Sequence, residues 1–168
     1  MLSLLAILVP LAVCGCGGSG ELSAGRYSDA EASYHIGSLP DRWQRIDVGG
    51  QNDLAWRNGQ LGAVIQVNAS CDPSLDIPLL ALTNHLLIGF TEREVLSQDL
   101  MPLASREALR THVTAKLDGV PRELLLVVVK KDDCVYDFAL VAPPGPDFAQ
   151  AQSDLDGLLR EFDTGAVP

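Results

Sequence analysis

Residues 107–129 carry the pattern that most restricts the fold of this chain. Residues 107–117 (EALRTHVTAKL) alternate between apolar and polar side chains, and after Asp118-Gly119 the segment 120–129 (VPRELLLVVV) runs back. Strict alternation is typical of a half-buried β-strand, and Asp-Gly favours the two-residue turn of a tight hairpin. With this turn as the pivot, the predicted register pairs Leu117 with Val120, Val113 with Leu124 and Thr111 with Leu126. The pattern therefore predicts an antiparallel sheet.

The segments on either side of this hairpin predict further strands. Residues 53–57 and 61–68 flank Asn58-Gly59, which favours another tight hairpin turn, and the second segment (LGAVIQVN) is rich in β-branched residues. Residues 92–103 are strand-like, and residues 134–141 (CVYDFALV) follow a polar turn. These strands extend the antiparallel sheet by consecutive hairpins.

Two amphipathic helices are predicted. Residues 78–89 repeat leucines at spacings of three and four, with Pro78 suited to the first turn and Gly89 to the helix end. The second helix begins at Asp147, with Gln150 three residues later as a capping box. Its buried side is predicted to consist of Phe148, Ala151, Leu155, Leu158, Leu159 and Phe162. Together these elements predict an α+β domain over residues 33–164, with two helices packed on a single antiparallel sheet.

The composition fits one folded domain with an acidic surface. Of 168 residues, 47% are hydrophobic, which is enough to build a packed core. The 22 acidic residues outnumber the 12 basic ones, and the net charge is -10. Nucleic acids and anionic lipid headgroups attract clusters of Lys and Arg, so we expect no nucleic-acid partner.

The N-terminal residues have the character of a targeting segment. Residues 2–13 are an uninterrupted apolar run, shorter than the roughly twenty residues that cross a bilayer but as long as the core of a secretory signal. Gly15-Cys16-Gly17-Gly18 follows, and here the sequence resembles a bacterial lipoprotein signal, in which a small residue precedes the cysteine that is acylated. The resemblance implies a signal peptide over 1–15 and a lipid on Cys16. Cys14 is the alternative, although Val13 is bulky for the residue before the cut, and residues 1–15 lack the Lys or Arg usual in signal peptides.

Residues 16–32 are small, polar and aperiodic, which predicts a flexible tether between the lipid and the domain. The likeness to lipoproteins implies a protein of the cell envelope, lipid-anchored to a bacterial membrane and facing the periplasm, with the outer membrane favoured. Its expected partners are the membrane, through the anchor, and an envelope protein, while the sequence identifies no ligand.

Cleavage before Cys16 leaves two cysteines in the exported domain, Cys71 and Cys134. An even number in an oxidising compartment suggests one disulfide, and both residues lie at predicted strand ends beside polar turns, where two segments can approach closely. The alternatives are a metal site and a redox thiol pair. Neither is supported by spacing, because the chain has no C-x-x-C and no His or Cys at ligand spacing from either residue.

The sequence contains no motif that indicates catalysis. Its histidines, His35, His85 and His112, form neither H-x-x-x-H nor H-E-x-x-H, and no serine lies in a G-x-S-x-G context. His85 falls beside Asn84 on the polar side of the first predicted helix, where we expect it to be solvated. We therefore predict that the protein is not an enzyme, with no catalytic residue, no metal and no cofactor.

The order of elements over residues 34–163 resembles the PsbP-like α+β fold. It places a turn and Trp43 near the start, a helix between early and late strands, a three-strand meander with Asp118-Gly119, and a closing amphipathic helix. Two blocks, residues 82–87 (LTNHLL) and 131–137 (KDDCVYD), are similar to uncharacterised lipoproteins of soil and sediment bacteria. The resemblance implies a small bacterial lipoprotein of unknown function, and some such proteins are thought to accompany lipid-transporting ABC systems of the envelope.

Two functional hypotheses follow. The first is a non-catalytic, membrane-anchored envelope lipoprotein that acts as an accessory or interaction module, with an envelope lipid-transport assembly as the context that the resemblance suggests. The alternative is a periplasmic domain that binds a small apolar or lipid ligand. An exposed apolar patch outside any pocket would favour the first, and a cavity between helix and sheet would favour the second.

Overall fold

A computed structural model describes residues 20–49 and 52–165 of the chain. The predicted signal peptide (1–15) and both candidate lipidation residues, Cys14 and Cys16, lie outside the described residues. In chain order the strands are β1 (Glu21–Ser23), β2 (Arg26–Ser28), β3 (Ser33–His35), β4 (Gln44–Arg45), β5 (Leu54–Asn58), β6 (Ala63–Ser70), β7 (Phe90–Leu103), β8 (Arg106–Leu117), β9 (Val120–Lys131) and β10 (Cys134–Ala142). A 3₁₀ turn (Pro73–Leu75) and helix α1 (Leu79–Leu86) lie between β6 and β7, and helix α2 (Pro146–Arg160) follows β10.

Seven strands form one antiparallel sheet in the order β4-β5-β6-β10-β9-β8-β7. The hairpin predicted at Asp118-Gly119 is confirmed as β8–β9, with Leu117 opposite Val120, Val113 opposite Leu124 and Thr111 opposite Leu126. At its turn both Asp118 and Gly119 have positive φ, 51° and 79°, as a two-residue primed turn requires. The register is fixed by this turn and by the apolar residues, because a slip of one position would move every side chain to the other face.

The chain turns after β5 as predicted at Asn58-Gly59, but the loop is longer than the predicted two-residue turn. Asn58 is the last residue of β5 and pairs with Ala63, so residues 59–62 form a four-residue loop. The Asn58 side chain is buried, and its Oδ1 accepts hydrogen bonds from the backbone N–H groups of Gln60 and Leu61, at 3.0 and 3.2 Å. These bonds stabilise the longer loop in place of a two-residue turn.

The two helices cover opposite faces of the seven-stranded sheet, which we call the α1 face and the α2 face. On the α1 face, Leu82 packs in a cluster with Val128, and Leu87 packs in a cluster with Val113. On the α2 face, the predicted apolar side of α2 is confirmed as buried, and the residues of this face form the main core. The capping box is wrong: α2 begins after Gly145 without a side-chain cap, with Pro146 in its first turn, where its fixed φ suits a helix start.

The predictions of a single sheet and of a tether over 16–32 are corrected by a second sheet. Strands β1, β2 and β3 form a three-stranded antiparallel sheet, so residues 21–28 belong to the folded domain. Tyr27 and Tyr34 are buried, their ring centroids 5.0 Å apart, and the Tyr34 ring also contacts Tyr136 and Phe162. Burial of these aromatic rings holds the small sheet on the α2 side of the domain, although three-residue strands are too short to show alternation in the sequence.

Candidate functional site

One face of the sheet carries exposed aliphatic side chains that no part of the described chain covers. Val95 lies opposite Val113, and Leu100 lies opposite Leu109, which places both on the α1 face, since opposed residues point to the same side. Val95 is 54% exposed and Leu100 is 59% exposed, and at the end of the β8–β9 hairpin Leu117 and Val120 are 36% and 46% exposed. We call this surface the outer apolar stripe; its members are Ile88, Val95, Leu100, Leu117 and Val120.

The stripe stays uncovered because α1 is short. The helix has eight residues, and its buried side chains lie against β8, β9 and β10, inward from the edge strand β7. Ile88 follows the helix and is 76% exposed. The chain then enters the sheet at β7, and the connection between α1 and β7 does not cover the stripe. The sequence predicted β7 as a strand, but its pattern could not show that it forms the sheet edge, where aliphatic side chains stay exposed.

The backbone edge of β7 is protected against pairing with another strand. Register shifts between Thr91 and Glu94 and between Val95 and Ser97 mark two β-bulges, and Glu92, in the first of them, has a positive φ of 49°. Pro102 lacks an N–H group near the end of the strand. Bulges, charged residues and proline are the devices that keep a sheet edge from adding strands. The accessible surface of β7 is therefore formed by its side chains rather than by an open backbone edge.

The predicted disulfide is present. Cys71, directly after β6, is bonded to Cys134 at the start of β10, and their Cα atoms are 4.1 Å apart. The two residues meet because β6 and β10 are paired, with Ser70 opposite Val135 at the adjacent position. The Cys71 N–H donates to Glu31 Oε1 at 2.8 Å, which also ties this point to the loop between β2 and β3. The bond excludes the alternatives of a metal site and of free redox thiols at these residues in this structure.

A polar cleft of about 730 Å³ lies beside the disulfide. The Lys130 ammonium is 2.8 Å from Asp76 Oδ1, and the Lys131 ammonium is 2.6 Å from Asp163 Oδ1. The hydrogen bond from Lys130 lowers the pKa of Asp76, and the one from Lys131 lowers the pKa of Asp163. Both lysine ammonium groups are therefore paired with aspartates of the fold, and Arg106 also lines the cleft.

Two partly buried carboxyl groups have raised pKa values. Burial raises the pKa of Asp53 to about 6, against the opposing effect of hydrogen bonds from Tyr34 Oη at 3.0 Å and Ala69 N–H at 2.9 Å. Burial also raises the pKa of Asp137 to about 6, and the Asn68 amide donates to it at 3.4 Å. Both carboxylates act as hydrogen-bond acceptors that join segments of the fold, Asp53 between β3 and β6 and Asp137 across the β6–β10 pair.

The three histidines are not brought together. His85 is exposed in the last turn of α1 beside exposed Asn84, as predicted. The His35 ring lies 3.1 Å from the Glu161 carbonyl oxygen, and the His112 ring lies 2.8 Å from Glu123 Oε1 and stacks on Phe148. Within residues 20–49 and 52–165, no group of three or more His, Cys, Asp or Glu side chains is arranged to hold a metal ion. Neither helix in this part of the chain is long and apolar enough to cross a membrane.

A small cleft, missed by sequence reasoning, lies between the β7–β8 turn and the end of α2. It measures about 340 Å³, and Met101, Leu103, Leu159 and Phe162 supply its apolar lining. This volume is near the lower limit of small-molecule sites. The residues come from segments nearly sixty positions apart, so no local pattern could have indicated it.

Solved structures of several bacterial proteins share this fold. The cyanobacterial PsbP (CyanoP) of Synechocystis matches with a TM-score of 0.60 and 20% identity, over 94% of this chain and 100% of its own. LpqN, involved in cell envelope biogenesis of Mycobacterium tuberculosis, matches with a TM-score of 0.54 and 13% identity, over 79% of this chain and 84% of its own. These likenesses show that the domain has the PsbP-like α+β fold.

A third structure, from Bacteroides thetaiotaomicron, matches with a TM-score of 0.56 and 9% identity over 79% of this chain. The chain spans 45% of that protein's length. No family model matches the chain, and no curated protein matches it. At these identities the matches establish the fold alone.

Proposed function

We propose that this chain is a non-catalytic accessory protein of the bacterial cell envelope that is held on a membrane by a lipid on Cys16 and acts by binding a protein partner. The outer apolar stripe carries this proposal. Exposed apolar surface outside a pocket marks interaction sites, and the stripe leaves several large aliphatic side chains exposed on one face of the sheet. The involvement of LpqN, which shares the fold, in cell envelope biogenesis supports the same setting.

The titratable groups support a binding role over a catalytic one. Lys130, Lys131 and Arg110 are each paired with an aspartate, and Asp53 and Asp137 accept hydrogen bonds within the fold. General acid–base catalysis needs such a group within reach of a substrate proton in a site that can hold the substrate. These groups instead have structural partners.

The location is proposed from the N-terminal pattern and the disulfide. The Gly15-Cys16 junction supports acylation, with Cys14 as the alternative, and the Cys71–Cys134 bond suits an oxidising compartment such as the periplasm. We place the protein on the periplasmic side of a bacterial membrane, with the outer membrane favoured. An envelope lipid-transport assembly is the setting that we propose for its partner.

Lipidation is tested by metabolic labelling of the full chain with an alkyne-bearing palmitate analogue. The wild-type protein should incorporate the label, Cys16→Ser should lose it, and Cys14→Ser should keep it. Loss of label in Cys14→Ser alone would move the anchor to Cys14. Absence of label in the wild-type protein would refute the anchored state.

The interaction role is tested by photo-crosslinking in intact cells. A photoreactive amino acid at Leu100, in the stripe, should give a discrete adduct with a protein, whereas one at the exposed Ser153 on α2 should not. Val95→Glu should abolish the adduct, because it places a charge within the stripe, while Ser153→Glu should leave it intact. Equal adducts at both positions, or persistence of the adduct in Val95→Glu, would exclude the stripe as the binding surface.

The alternative function, binding of a small apolar ligand, is supported by the cleft at Met101 and Leu159. Native mass spectrometry of the protein purified from envelope extracts would show an added mass in this case. Met101→Arg, which places a charged side chain at the cleft, should remove that mass. The protein-binding function predicts a single mass with no ligand.

A further inference from the structure

The folded domain begins almost directly after the proposed lipidation site. Gly20 packs against the ring of Tyr27 so closely that an added Cβ atom would lie 2.2 Å from ring atoms, and β1 starts at Glu21. Only residues 17–20 separate Cys16 from β1. Five residue steps at full extension span at most roughly 17 Å. The correction of the predicted tether thus limits how far the domain can move from a lipid on Cys16.

Gly20 lies at the sheet edge opposite to the outer apolar stripe. It lines a cleft of about 550 Å³ together with Arg45 of β4 and Ala55 of β5, the strands at one edge of the seven-stranded sheet. β7 forms the other edge, six strand spacings away, which corresponds to about 29 Å. The three-stranded sheet also packs on the α2 side, whereas the stripe is on the α1 face. The N-terminal attachment and the stripe are therefore separated by both edge and face.

We infer that the lipid anchor holds the domain with its three-stranded sheet toward the bilayer and directs the outer apolar stripe away from it, toward a protein partner in the aqueous compartment. This inference rests on the proposed lipidation of Cys16. The link spans at most roughly 17 Å, which is less than the width of the sheet at about 29 Å. The stripe could therefore contact the bilayer that holds the anchor only if the whole domain rotated to present its α1 face to that bilayer. This geometry disfavours contact between the stripe and the membrane that holds the anchor.

The charges near Gly20 indicate that the anchor, and not the protein surface, provides the membrane contact. Glu21, Asp29 and Asp47 lie around the attachment point, and Arg45 is the cationic residue among those that line the cleft with Gly20. An acidic surface is repelled by anionic headgroups. Without its lipid, the domain should therefore have no affinity for anionic vesicles.

The orientation is tested with the full lipidated chain in vesicles of phosphatidylcholine and phosphatidylglycerol that carry a headgroup-attached quencher. A fluorescent amino acid is placed at Ser23 in β1 or, in a separate protein, at Leu100 in β7, both exposed positions. Quenching should be at least about threefold stronger at Ser23, since Leu100 lies on the α1 face of β7, the edge strand about 29 Å from β4. Equal quenching, or stronger quenching at Leu100, would overturn the inference.

Two variants identify the cause of the orientation. Insertion of twenty Gly and Ser residues after Gly18 gives a link with an r.m.s. length of roughly 27 Å, so the difference between the two labels should disappear. If the difference persists in this variant, or if Cys16→Ser still binds the vesicles, the surface itself binds lipid and the short link is not the cause. Mass spectrometry of the wild-type chain separates the two hypotheses: an absent lipid refutes the proposed function, whereas equal quenching of a lipidated chain refutes only the orientation.

Discussion

Asp53 and Asp137 show how position in the fold changes the chemistry of a single residue. In the sequence both are ordinary acidic residues within or beside strands, and nothing in the local pattern distinguishes them from solvated aspartates. Burial raises the pKa of each to about 6. The folded state therefore binds protons more tightly than the unfolded chain, in which an aspartate has a pKa near 3.9. Each carboxyl group favours folding at low pH, and this contribution is lost as the pH rises through about 6.

Asp137→Asn should stabilise the domain at neutral pH and flatten its pH dependence. Between pH 5 and pH 7.5, ionisation of Asp137 should lower the free energy of unfolding by about 1 kcal/mol, and the substitution removes this loss. Asp76 and Asp163 have lowered pKa values, so their effect on the free energy of unfolding changes with pH only below about pH 4. They therefore do not oppose the decrease expected between pH 5 and pH 7.5. Urea unfolding at the two pH values measures the difference, with the exposed Asp41→Asn as the matched control. An unchanged pH dependence in Asp137→Asn would show that this carboxyl group is solvated.

The disulfide was predictable at the residue scale, whereas the environments of single polar residues were not. Cysteine parity and the positions of Cys71 and Cys134 at strand ends were sufficient to pair them. The burial of Asp137, or the hydrogen bond from Trp43 Nε1 to Asp154 Oδ2 at 2.8 Å, depends on side chains more than sixty residues away. Such contacts leave no local pattern.

At the scale of elements, the meander from β7 to β10 was predictable because its information is local. Side-chain alternation gives the strands, the two-residue turn at Asp118-Gly119 gives the β8–β9 pairing, and a polar turn over 130–133 indicates the β9–β10 hairpin. The capping box failed because Pro146 and Gly145 determine the start of α2 one residue earlier. The exposure of β7 was not predictable, because it depends on the length of α1 and on which strand lies at the sheet edge.

Removal of the disulfide should destabilise the β6–β10 junction without unfolding the domain. The bond closes a loop across 63 positions, and a loop of this length contributes about 4 kcal/mol in the chain-entropy account. The Cys71→Ala/Cys134→Ala double variant should therefore melt more than about ten degrees lower. Calorimetry of this variant and of the reduced wild-type protein should give the same shift. A change of less than about two degrees in both would mean that the paired strands alone hold this junction.

At the scale of the whole molecule, the main sheet is covered on both faces, but unequally. α2, with 15 residues, and the three-stranded sheet cover the α2 face, while α1, with eight, leaves the outer part of the α1 face exposed. The α+β class and the two helices followed from the sequence. The second sheet did not, because its strands are three residues long and are held by aromatic contacts with distant parts of the chain.

The three-stranded sheet should be required for full stability of the domain. A chain that begins at Gly20 retains β1 and β2, whereas one that begins at Ser33, the boundary expected from the sequence, loses buried Tyr27 and with it one of the aromatic contacts of Tyr34. Deletion of a buried aromatic side chain costs about 3–5 kcal/mol, and the second protein should be less stable by at least that amount. Chemical denaturation of the two proteins, each with the disulfide intact, measures the difference. Equal stabilities would mean that residues 20–32 only cover a domain that is complete without them, and the boundary at residue 33 would then be correct.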